Sequence, residues 1–330
     1  MDERDRDLFA RRNRLRIVGL VVLATLNYCL AVCAAAVATG LAIVIWAISE
    51  GAIPDSVEAL KFFGIAIAVV IALSLVIGIV VAVVRLPFQR SRLERRVLAE
   101  TQAQVAQTEE HRRVANLLEG LAIAAGVPPP RFAIIPDACP NSFGVGTRPG
   151  RTIIGVTTGL VEKLDRAELE AVLAYEVSRI GSWDIALASW TVALTGGAIE
   201  TLEGDDLKRL IIGYLPLKFA EWLQLWALRD QGHHRDRVAV RFTRQPQALL
   251  RALEKLDADA SQIGRVSRAT APLWVEFPAR VVAGSSSRAT QRLARELLLD
   301  ERIEDLRRLA GPVAATAPPP TGPPVGLPGL

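Results

Sequence analysis

Residues Leu169 to Asp184 read LEAVLAYEVSRIGSWD, the body of a helix whose start is written just upstream. Asp165 is a residue type whose side-chain oxygen accepts from the free amides of a first helical turn, and Glu168, three positions on, completes a capping box. The helix therefore runs from Arg166 to about Ile180, and with Glu176 and Arg179 one turn apart it is where chemistry is expected. Before it, Asn141–Thr147 and Thr152–Thr157 are short β-prone runs joined by Arg148, Pro149, Gly150 and Arg151, which reads as a hairpin. A strand at Arg131–Ile135 precedes them. Gly126 and Pro128, Pro129 and Pro130 end a charged, alanine-rich helix that begins near Arg90, with room for one break. After Asp184, Ile185 to Ile199 offers only about 15 uncharged residues, short of a membrane span, and is expected as a buried or membrane-grazing helix. Helices are expected at Pro246–Asp257 and Ala289–Leu309. After Gly311 the chain is nearly all Pro, Ala, Gly and Thr, a composition expected to stay disordered.

The N-terminal third has a different character. Ile17 to Ser49 holds no charged residue over about 33 positions, and Phe62 to Val84 none over about 23, where roughly 20 suffice to cross a bilayer. Two transmembrane helices forming a hairpin are expected. The first run is too long for a signal peptide, and no small-residue cleavage site closes it before Trp46. Arg4, Arg6, Arg11, Arg12, Arg14 and Arg16 precede the first run, and Arg85, Arg90, Arg92, Arg95 and Arg96 follow the second. Both flanks, and all that follows, should then lie on the cytoplasmic side of a cell membrane in a multi-pass arrangement.

The division is thus a basic N-terminus (1–16), two spans (17–86), a juxtamembrane helical segment (87–127), a main domain (128–310) and a Pro-rich tail (311–330). With 39 Lys and Arg against 35 Asp and Glu, and the excess beside the apolar runs, the charge points to membrane orientation and not to nucleic acid. Three cysteines are too few for a disulfide framework and read as free thiols.

Pro140, Asn141, Ser142 and Phe143, then GVTTGLVEKL from Gly155 to Leu164, then LEAVLAYEVSRIGSWD resemble, in order and spacing, the HtpX-type membrane zinc endopeptidases. Those enzymes carry a P-N-A-F strand, a V-T-x-G-L helix start and a helix reading H-E-x-x-H with an Asp five residues on. The resemblance covers roughly Val105 to Leu309. It implies an α+β membrane protein in which a transmembrane hairpin precedes a mainly helical, zincin-like metalloprotease domain with a small antiparallel β-sheet. Residues four apart share a helix face, so two imidazoles grip one zinc while the intervening Glu activates its water. Here the histidine positions hold Tyr175 and Arg179, and only the catalytic Glu176 remains. Aligned on Asp236, the third ligand position holds Gly232; Asp184 and Asp236, which support the ligands by resemblance, are present.

No zinc cofactor is therefore expected, with His233 and His234 as the alternative ligands beside Glu176 and Asp236; Arg179 would place a fixed positive charge next to such an ion. Two readings of Arg179 stand. Its guanidinium takes the metal's place and pairs with Glu176 and Asp236, with Tyr175 filling the cleft and offering its hydroxyl, or Glu176 and Arg179 form an ordinary exposed helix pair. By resemblance, Asn141, Ser142, Phe143 and Gly144 lie on the strand along which the enzymes lay out substrate, so a peptide could add there without hydrolysis. The functional expectation is a pseudoprotease, a binding or regulatory partner of membrane-protein or peptide clients in membrane-protein quality control. The alternatives are an active zinc endopeptidase with a rebuilt site and a structural membrane subunit.

Overall fold

A computed structural model describes residues 3–49, 57–105, 109–201, 214–228, 236, 239–240, 245–276, 278 and 299–310. In chain order these form α1 (Glu3–Ser49), α2 (Val57–Thr101), β1 (Gln104–Val105), α3 (Glu109–Ala124), β2 (Arg131–Ile135), β3 (Ser142–Val145), β4 (Ile153–Thr157), α4 (Thr158–Lys163), α5 (Arg166–Gly181), α6 (Asp184–Thr201), α7 (Tyr214–Leu228), α8 (Pro246–Asp257) and α9 (Leu299–Ala310). Gly232, His233 and His234, residues 289–298 of the expected last helix, and the 311–330 tail lie outside the described residues.

The sheet order is β1-β2-β4-β3. β3 and β4 form the expected antiparallel hairpin, Ser142 opposite Val156 and Val145 opposite Ile153. The sheet is mixed, however, not antiparallel throughout: β2 and β4 run parallel, Arg131 opposite Ile153 and Ile135 opposite Thr157. β3 intervenes in sequence but pairs on β4's far side, so β4 returns in the direction of β2.

Successive strand residues point to opposite faces, and here both faces are covered. Phe132, Ile134, Ile154 and Val156 pack with α3, α5, α8 and α9 through Leu118, Leu173, Leu253 and Leu306. Ala133, Ile135, Phe143, Val145 and Ile153 pack on the other side with Leu187, Leu223 and Trp274, and with Leu20, Leu93 and Val97 from the inner ends of α1 and α2. The apolar helices are thus joined to the domain through its core. Asn13 adds a buried bond from its side-chain nitrogen to the Ser182 carbonyl at 2.8 Å.

Among the described residues one stretch is long and apolar enough to cross a membrane, Asp7–Ala42 of α1, and α2 adds a shorter apolar segment, Ala68–Val80. The two helices pack where Gly78 meets Cys29; a Cβ on Gly78 would lie 2.8 Å from the Cys29 Cα. Val22, Leu26, Leu30, Leu41 and Ile45 of α1 and Val69, Leu73, Val76, Ile77 and Val80 of α2 are exposed. The helix expected from Arg90 is interrupted: α2 ends at Thr101, Gln102 has a left-handed φ of 53°, and strand β1 intervenes before α3. Cys29, Cys33 and Cys139 are free thiols.

Candidate functional site

α5 begins as its sequence dictates. The Asp165 side chain accepts from the Glu168 amide at 2.8 Å and Glu168 accepts from the Asp165 amide at 2.9 Å. The helix then runs through the core, so Tyr175, Glu176 and Arg179 are all buried. Its last turn ends at Ser182, and Trp183, with φ of 61°, reverses the chain so that Asp184 opens α6 beside Arg179. A bulky residue in that region is strained; the Arg14 guanidinium lies 5.7 Å from the Trp183 ring.

The Arg179 guanidinium sits where a second imidazole would stand by resemblance. Its Nε donates to Asp184 Oδ2 at 2.8 Å and its Nη1 to Glu176 Oε2 at 3.0 Å, with none of the three side chains accessible to solvent. The other Glu176 oxygen accepts from the Ser142 hydroxyl of β3 at 2.9 Å. Burial alone would push Arg179 toward neutrality, but Glu176 and Asp184 outweigh it and hold its pKa above the ordinary arginine value. The exposed-pair reading is therefore overturned: this is an enclosed ion cluster, in which charges are screened little and desolvation is large.

The expected pairing of Arg179 with Asp236 is also corrected. Asp236 is taken by Arg302 of α9, which forks onto both its oxygens at 2.8 and 2.9 Å. Arg302 is equally buried, and although burial alone would lower its pKa, the Asp236 carboxylate outweighs it and holds the pKa above the ordinary arginine value. Tyr175 lies between the two guanidiniums, its ring centre 4.8 Å from Arg302 and 5.9 Å from Arg179. It is buried. Its hydroxyl, expected to make a hydrogen bond, has no partner among the described residues, and neither does Arg179 Nη2.

β3 is the sheet's edge, but that edge is not open. Val275 donates its amide to the Ser142 carbonyl at 2.9 Å, and Phe143 pairs antiparallel with Trp274, their rings 5.2 Å apart edge to face. The Asn141 side chain brackets Glu276, donating to its carbonyl at 3.0 Å and accepting from its amide at 3.2 Å. Arg179 donates to the Leu273 carbonyl at 3.3 Å and Arg302 to the Val275 carbonyl at 3.0 Å. The chain's own 273–276 segment thus lies along the strand expected to receive a peptide, its carbonyls on the two guanidiniums. Gly144 permits the close packing here, since a Cβ would meet Ile185 Cδ1 at 2.5 Å and Glu176 Oε2 at 3.2 Å.

Zinc needs electron-pair donors converging at about 2 Å. A guanidinium offers none. Among the described residues no three His, Cys, Asp or Glu side chains are grouped to hold an ion.

The family model described as Peptidase family M48 matches residues 108–308, which contain every element of this cluster. A protease HtpX homolog of Dictyoglomus turgidum is 33% identical over 221 residues, 61% of this chain and 70% of the relative. Homologs from Streptococcus gordonii (29% over 235 residues, 63% of this chain and 77% of the relative) and Streptococcus pyogenes serotype M5 (30% over 265 residues, 72% and 86%) are also similar to it.

Proposed function

Because the chain belongs to peptidase family M48, we propose that it is a membrane-anchored member of that family that binds and does not hydrolyse. The observation carrying this is the buried Arg179, which holds Glu176 and Asp184 by charge where the family resemblance expects a metal ligand. A general base in such an enzyme must be aimed at a metal-bound water. Both oxygens of Glu176 are instead engaged, one by a guanidinium and one by a hydroxyl. The 273–276 segment along β3 supports the absence of hydrolysis, since an extended substrate at Asn141–Gly144 would have to displace it, and on this reading clients bind elsewhere on the chain. Buried Leu273, Trp274 and Val275 would each lose about 1.5–3 kcal/mol of burial on leaving.

The anchor is α1, with the apolar part of α2 completing a hairpin, and both the basic N-terminus and the main domain lie in the cytoplasm. The partners are the lipid bilayer and membrane-protein clients, bound in quality control. The test is proteolysis by the purified full chain with zinc supplied and casein as substrate. No cleavage above background is expected. Cleavage that disappears in Glu176→Gln establishes an active endopeptidase with a rebuilt site and overturns the proposal.

A further inference from the structure

At the point where α1 changes from charged to apolar, it meets the C-terminal end of α7. Leu8, Arg11, Arg12, Leu15, Arg16 and Gly19 line one side of a groove of about 400 Å³, and Trp226 closes the other. Gly19 makes the fit possible: a Cβ there would stand 3.1 Å from the Trp226 ring. Arg16 donates to the Ala227 carbonyl at 3.3 Å, which fixes the basic turn against α7. Arg11 and Arg12 are exposed; the Arg12 guanidinium lies 5.6 Å from the Phe9 ring, and Asp7 is the acid one turn ahead. Trp222 stacks on Trp226 at 6.5 Å and is itself half exposed.

Two features say what would fill this groove. Arg11, Arg12 and Arg16 all border the groove, so its polar end is cationic and suits an anion's oxygens. Leu15 of the groove also begins a row of exposed apolar residues, Leu15, Val18, Val22, Leu26 and Leu30, spaced three and four apart along one face of α1. A ligand matching both must be anionic at one end and a long hydrocarbon at the other. Indole and arginine side chains at the end of an apolar helix also mark the depth at which lipid headgroups lie.

We propose that this groove is a binding site for one anionic phospholipid, its phosphate held by Arg11, Arg12 and Arg16 and its acyl chain along Trp226 and the Leu15–Leu30 stripe. The inference rests on the membrane anchoring proposed above and goes beyond it, because a bilayer of any composition serves as an anchor whereas this site selects a headgroup charge. It closes the junction between α1 and α7, so lipid charge bears on how firmly the domain is held at the surface.

The test uses the full chain in nanodiscs of phosphatidylcholine doped with phosphatidylglycerol carrying brominated acyl chains, a quencher of tryptophan. The Trp226 contribution is read as the difference between the parent and Trp226→Phe. Phosphatidylglycerol is expected to quench Trp226 well beyond brominated phosphatidylcholine at the same dose. Each arginine near an anionic surface is worth about fivefold in association, so Arg11→Gln/Arg12→Gln/Arg16→Gln should weaken the response roughly a hundredfold. Removing three exposed charges elsewhere, Arg113→Gln/Arg148→Gln/Arg151→Gln, should leave it unchanged. Equal loss in both triple variants means only overall charge, and displacement by millimolar inorganic phosphate means a free-anion site; either overturns the proposal. Equal quenching by both lipids in a chain that alkaline carbonate leaves in the bilayer overturns it too. A chain that carbonate strips from vesicles refutes the anchoring itself.

Discussion

Replacing Arg179 by methionine removes the cation and keeps most of the side-chain volume. Glu176 and Asp184, neither accessible to solvent, would then both lose the Arg179 guanidinium. Removing one partner of a buried pair costs about 3–5 kcal/mol. The variant escapes part of this by binding a proton. A carboxyl whose folded pKa is raised contributes stability that is complete below its unfolded pKa and is lost as pH rises through the folded value. The deficit should therefore be smaller at pH 5 than at pH 8, by about 1.4 kcal/mol per unit over which the folded state alone holds the proton. For a domain of this size each kcal/mol moves Tm by roughly 2–4 °C, so the loss is about 6–20 °C. Tryptophan-fluorescence melts of the detergent-solubilised chain at both pH values measure it. Adding Glu176→Gln and Asp184→Asn to Arg179→Met should recover most of the loss, since neutral side chains need no counter-ion. A change below about 1 kcal/mol, or one independent of pH, would refute the enclosed ion cluster.

Tyr175→Phe should cost nothing or stabilise by up to about 1 kcal/mol, because the lost hydroxyl is buried with no partner among the described residues; the same melts would show a loss if it were bonded. Arg302→Met should cost about 3–5 kcal/mol, and a double-mutant cycle with Asp236→Asn should give a coupling above about 1 kcal/mol. Glu276 has its pKa raised to about 7, by burial first and then by Asp257 and Asp259 against the opposing Arg302. Its contribution is complete below the unfolded value of 4.5 and is lost as pH rises through about 7, so the parent should lose up to about 3 kcal/mol relative to Glu276→Gln between pH 4.5 and 8. Parallel melting curves of the two proteins across that range would contradict it.

The local parts of this architecture were legible in the sequence. The Asp165 capping box, Pro246 at the start of α8 and the β3–β4 hairpin all depend on residues within a few positions of one another. So was the placing of Tyr175, Glu176 and Arg179 within about one turn of the same helix. What depends on distant partners was not. The parallel pairing of β2 with β4 needs a register that no local signal sets. Arg179 was expected on Asp236, yet the reversal at Trp183 brings Asp184 to it, and Asp236 falls to Arg302. Arg302 carried a signal: with Ile303 and Leu306 it occupies one helix face, and an arginine on an apolar face needs a buried acid. The 273–276 strap had one too, a Leu-Trp-Val run between Pro272 and Pro278, short enough to be passed over. The positions Gly232, His233 and His234 lie outside the described residues.

Elemental analysis of the full chain, purified without chelator and dialysed against excess zinc, tests the metal-free cluster most directly. The account predicts far less than one zinc per chain, unchanged by Glu176→Gln. One zinc per chain, released by that substitution, would contradict it.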